Sequence, residues 1–179
     1  MARTSHSRRV RSRQAAGAVL GGGAIAGVIA GAVTLAVGMT WSSGMGLGAE
    51  LIPHAMAGVV NGPLALLGGW GALLGGWSLT LAGGAILGLI YAAIGWRVRS
   101  YGTALLYGIL AGILVWAVLD RWLLPAWNPV LAAYTPLLGA SWFWLHVLYG
   151  VVLSLSVPLR RGLAGSHLAP ASWELPKAS

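Results

Sequence analysis

Four apolar runs, Ala15 to Thr40, Ser78 to Trp96, Tyr101 to Leu119 and Pro136 to Val157, contain no charged residue. A hydrocarbon core about 30 Å thick takes about 20 helical residues to cross, so each run matches a transmembrane helix. The third run closes on Asp120 and Arg121, which extends its span to about residue 121. With 58% hydrophobic and 8% charged residues, the 179-residue chain lacks the polar surface needed to wrap a water-soluble globule. Lipid must cover the remainder.

The charge balance locates the ends of the spans. A formal net charge of +8 in a soluble chain suggests nucleic acid, but these cations cluster at span ends and not on a face with interleaved aromatics. Arg3, Arg8, Arg9, Arg11 and Arg13 precede the first span, Arg97 and Arg99 lie in the link between the second and third, and Arg160 and Arg161 follow the fourth. Cationic side chains resist translocation, so an even number of spans keeps all three groups cytoplasmic. Both termini, 1–14 and 158–179, are then expected in the cytoplasm, with 15–157 as the four-span domain. The first run is too long for a signal peptide and no convincing cleavage site follows, so it reads as a retained span. The absence of cysteine excludes disulfides, thiolate metal sites and a cysteine nucleophile.

Tryptophans mark the interfaces. Trp41, Trp70, Trp77, Trp122, Trp127, Trp142 and Trp144 group toward the outer side and Trp96 toward the inner, as expected for indoles at headgroup level. The stretch Ala55 to Gly76 is long and apolar enough to cross, but a fifth span there would strand Arg97 and Arg99 outside. It is interrupted by Asn61, Gly62 and Pro63. A re-entrant or interfacial outer segment is the expectation, with its backbone satisfied by protein or water.

Two gapless self-alignments suggest a duplicated hairpin. The first pairs Gly27 with Gly108, Ala30 with Ala111, Gly31 with Gly112 and Trp41 with Trp122; the second pairs Pro63 with Pro129, Thr80 with His146, Gly84 with Gly150 and Leu87 with Leu153. Two such hairpins share one orientation, a parallel repeat that agrees with four spans. Pro129 to Pro136 would be the counterpart of the segment after Pro63.

Within lipid, close backbone approach replaces the hydrophobic effect as the source of helix contact. Stripes at i, i+4 spacing are present on every span: Gly23, Gly27 and Gly31; Gly84 and Gly88; Gly108 and Gly112; Gly150 and Ser154. They serve tight packing within the chain or, for the first span, a homo-oligomer or larger membrane complex.

Polar residues are few. His146, in the outer third of the last span, admits a hydrogen bond to a neighbouring helix, or a role as ligand of haem, pigment or metal, or as a proton relay. His54 and Glu50 lie in the outer loop, where convergence with His146 on a metal is one arrangement and His54 is, with His146, a candidate cofactor ligand. Asp120 beside Arg121 reads as an interfacial pair or an ion site, and His146, Asp120 and Thr80 are the candidates for a transport path. His6 and His167 fall in the tails, and Gln14, Thr34 and Asn61 add isolated polarity. No catalytic constellation is present, so no enzymatic activity, cofactor or metal is assigned. The glycine clusters Gly21 to Gly23 and Gly68 to Gly76 lack the strand and lysine of a phosphate loop. Val130 follows Asn128 and Pro129, which excludes an aquaporin-type motif.

The segments YGILAGILVWAVLDRWLLP and SWFWLHVLYGVVLSL resemble those of a group of small uncharacterised bacterial inner-membrane proteins of the YagU type. Tyr107, Gly108, Gly112, Trp116, Pro125, His146, Tyr149 and Gly150 carry the resemblance, over roughly the second half. Thr80 and Gly84 stand where that group often keeps another histidine. The resemblance implies a four-helix multi-pass protein without an established chemistry.

The expected protein is therefore an all-α polytopic four-helix bundle of a bacterial-type inner membrane. Its expected partners are the bilayer, anionic lipid headgroups and further membrane subunits, without nucleic acid. Its expected role is structural, accessory or in assembly, with a small transporter or channel and a haem or pigment-binding subunit as alternatives.

Overall fold

A computed structural model describes the backbone of residues 3–127, 132, 136 and 139–166, and side chains for 15–119, 121–126, 132, 136 and 139–165. The side chains of His6, Gln14, Asp120 and Trp127, the tail from His167 onward, and most of Pro129 to Pro136 lie outside these.

Every described element is helical: α1 (Arg3–Gly44), α2 (Leu51–Asn61), a 3-10 turn (Pro63–Leu67), α3 (Trp70–Ile94), α4 (Tyr101–Val118), a π turn (Leu119–Leu123), α5 (Leu124–Trp127), α6 (Gly139–Leu153) and α7 (Ser156–Ser166). Lipid supplies no hydrogen-bond partners, so a crossing backbone must satisfy itself and the helix is the available solution. Four stretches are long and apolar enough to cross: Ala15–Gly44, Trp70–Ile94, Tyr101–Ala126 and Gly139–Gly165. The chain is a multi-pass all-α membrane bundle.

The second crossing starts at Trp70, ahead of the expected Ser78. Glycine disfavours helix in water, but in an apolar medium the alternative is an unbonded backbone, and helix extends through Gly75 and Gly76. By contrast α2, with 11 residues, is about 16 Å long and too short to cross. Pro53 is tolerated in its first turn, where the missing N–H has no helical partner. The helix stops at Gly62, with φ 74° and ψ −174°, and Gly68 at φ 91° and ψ −164° closes the following 3-10 turn. That backbone region is essentially restricted to glycine.

α1 and α6 form the middle of the bundle, packed on one another, while α3 leans on α1 and α4 on α6. α3 and α4 make little mutual contact along their length. Ala26 and Ala30 of α1 meet Tyr149 and Leu153 of α6 in the central core, and Leu35 with Ile52 of α2 forms a second cluster.

The helices touch backbone to backbone. A β-carbon on Gly27 would collide with the carbonyl of Gly84, one on Gly88 with that of Gly23, and one on Gly31 would lie 2.9 Å from the Thr80 carbonyl oxygen. In the other pair, Gly108 faces the Gly150 carbonyl and Gly112 that of His146. Each first-pair contact at Gly27 and Gly31 has its counterpart in the second at the aligned positions. The glycine groove of α1 is thus filled by α3 of the same chain.

One end of the bundle gathers the cations. The Arg160 guanidinium donates to the carbonyls of Gly95 and Trp96 at 3.4 and 3.3 Å, and Arg161 donates to that of Arg99. Arg160 satisfies carbonyls left over where α3 ends, where its charge complements the helix dipole, and Arg161 ties down the link that follows. At the same end the Tyr91 hydroxyl donates to the Ala104 carbonyl (2.7 Å), and Ser100 caps α4 by accepting from the Thr103 amide (3.0 Å).

Candidate functional site

Between α3 and α4, above the α1–α6 contact, lies a cleft of about 380 Å³. Leu79, Gly83 and Leu87 form one wall from α3, and Val115, Leu119, Leu123 and Leu124 the other. Gly31, Thr34 and Leu35 of α1 and Trp142, Leu145, His146 and Tyr149 of α6 make its floor, and Leu51, Ile52, Met56 and Val59 of α2 cover one end.

Local backbone chemistry shapes this space. Pro125 has no N–H to offer the Arg121 carbonyl, and its ring would clash there in a regular helix. The ladder widens instead, and the Leu124 amide donates to the Leu119 carbonyl, five residues back. That wide turn carries Leu119 and Leu123 on the cleft wall. Farther on, Pro158 interrupts the α6–α7 ladder, and the Val157 amide donates three residues back to Ser154.

The polar groups facing the cleft are largely engaged within the chain. Thr80 Oγ1 donates to the Gly76 carbonyl (2.8 Å), the Tyr149 hydroxyl to that of Gly84 (3.2 Å), and His146 Nδ1 lies 2.9 Å from the Trp142 carbonyl oxygen. The His146 ring also meets Trp142 edge-on at 5.2 Å. Thr34 Oγ1 and Trp142 Nε1 are buried without a hydrogen-bond partner in the protein. The lining can enclose hydrocarbon and offers almost nothing to a charged solute.

Of the sequence candidates, Thr80 and His146 line this one cleft, at aligned positions of the two hairpins. His54 does not line it. It is buried at the start of α2, 3.8 Å from the Glu50 carboxylate and beneath Gly68. Among the described residues no group of three or more His, Cys, Asp or Glu side chains could hold a metal ion, so Glu50, His54 and His146 do not converge. Arg121 holds its guanidinium over the Trp116 ring at 5.3 Å.

Sequence reading missed the cleft, Gly83 and the Tyr149 bridge between the hairpins. The i, i+4 series Leu79, Gly83, Leu87 is a visible pattern, but it says nothing of what stands opposite. Comparison with known proteins found no matching family model, no matching curated protein and no matching solved structure.

Proposed function

We propose that this chain is a structural, accessory or assembly component of a bacterial-type inner membrane, built from a duplicated helical hairpin with both termini in the cytoplasm. The observation that carries the reading is the repeated contact geometry: Gly27 on Gly84 and Gly31 on Thr80, then Gly108 on Gly150 and Gly112 on His146. Glycine close approach is what holds these helices together, and the small side chains are spent on packing inside the chain.

Support for the orientation comes from the arginines. Arg160 and Arg161 bond to the Gly95–Arg99 link, so two of the three basic groups share one end. The positive-inside rule puts that end in the cytoplasm, where each cation near an anionic surface contributes about 1 kcal/mol. α2 and its 3-10 turn then form the interfacial or re-entrant outer segment. Kinship with the YagU type rests on the residues from Tyr107 to Gly150 quoted above.

Affinity purification in mild detergent tests the role: the expected result is one membrane partner at fixed stoichiometry, with no solute flux from liposomes holding the pure protein. A transport reading is favoured by Thr80 and His146 lining one cleft. Flux abolished by His146→Ala would replace the accessory role with that reading. A Soret band lost in the same variant would replace it with haem binding.

A further inference from the structure

The cleft opens sideways, at the depth of the hydrocarbon. Ile86 and Leu123 line it and are also exposed on the outside of the bundle, 57% and 47% respectively. The flanking helices point large apolar side chains outward on both sides, including Leu89 and Ile90 of α3 and Leu110 and Leu114 of α4. What meets the opening is therefore the acyl region of the bilayer, and the lining is continuous with the lipid-facing surface.

Three features select the occupant. The volume lies within the range of small-molecule sites, and the lining is almost wholly apolar, as such sites are. The deep end, at Thr80 and Tyr149, has its hydroxyl groups bonded to Gly76 and Gly84, so it offers no donor to a polar group. Thr34 Oγ1 and Trp142 Nε1, the unpartnered polar atoms among the lining residues, are buried with almost no accessible surface, so neither donates into the open space.

We propose that the cleft binds one acyl chain of a bilayer phospholipid, with the hydrocarbon against Gly83 and Tyr149. Bulk lipid is as apolar as the lining, so little is gained by transfer alone. Selectivity comes from dispersion with a surface otherwise short of neighbours. The site depends on the bundle spanning a bilayer and not on the orientation or role proposed above.

The test uses the full chain in vesicles of phosphatidylethanolamine and phosphatidylglycerol doped with a phospholipid bearing a photoactivatable group in one acyl chain. Crosslinks are located by residue. The expected result is labelling at Gly83, Leu87 and Leu119 several-fold above that at the outward residues Ile90 and Leu110. A β-carbon at Gly83 meets nothing within 4 Å, so Gly83→Leu can project its side chain into the cleft. It should abolish the excess and leave Leu110 labelling unchanged, while Gly83→Ala retains it. Native mass spectrometry should show one phospholipid retained by the wild type and lost in Gly83→Leu. Equal labelling of cleft and outward faces, an excess that survives Gly83→Leu, or retention of a phosphorus-free apolar molecule instead would each overturn the proposal.

Discussion

At the scale of single residues, the glycines differ in what an added methyl group meets. A β-carbon on Gly27 runs into the Gly84 carbonyl, whereas one on Gly17 meets nothing within 4 Å. Gly27→Ala should therefore destabilise the bundle by about 1–3 kcal/mol, the usual cost of overpacking. Gly17→Ala should be neutral or stabilising by up to about 1 kcal/mol, because alanine is the better helix former. Unfolding in mixed micelles followed by circular dichroism separates the two, and equal effects would show that α1 and α3 do not pack through this groove. The Tyr149 hydroxyl crosses from the second hairpin to the Gly84 carbonyl of the first. Tyr149→Phe should cost only about 0.5–1.5 kcal/mol in the same assay, as for other interhelical hydrogen bonds in lipid.

Among the elements, the outer segment depends most on backbone conformation. Gly62 and Gly68 sit on either side of the 3-10 turn in a region that other residues hardly enter. Gly68→Ala should cost about 1–3 kcal/mol through strain, and its β-carbon would also reach to 3.4 Å from His54 Cε1. Faster limited proteolysis between residues 62 and 69, with helix content unchanged, is the expected readout. The break at Asn61, Gly62 and Pro63 was legible because those residue types oppose helix in any setting. The start of α3 was not: Trp70 to Gly76 is glycine-rich, and helix propensities measured in water, which lipid overrides, assign it to the re-entrant or interfacial outer segment. The π turn was hidden for a different reason, since Pro125 announces a disturbance without saying whether the ladder will break or widen. Runs of apolar residues show the four crossings directly, because bilayer thickness sets a length that composition alone can meet. The cleft has no such local signature. Gly83, Leu119 and Trp142 belong to three crossings, and their proximity follows from which glycines pair, information that exists only once the helices are assembled.

For the molecule as a whole, the decisive property is parity. An even number of crossings places the link carrying Arg97 and Arg99 on the same side as both termini. A Ser100→Cys variant should resist an impermeant maleimide added to intact cells and react once the membrane is opened. Labelling from outside would remove the cytoplasmic assignment of that link. Within this threading α1 occupies the middle, packed on α3, α6 and α7, yet it is translated before the other three crossings. Its contact with α3 can form early, but the surface around Ala26 and Ala30 awaits Tyr149 and Leu153 of the fourth crossing. Of the four crossings, the one made earliest is therefore completed last, and a nascent chain stalled before Gly139 keeps the surface around Ala26 and Ala30 against lipid tails.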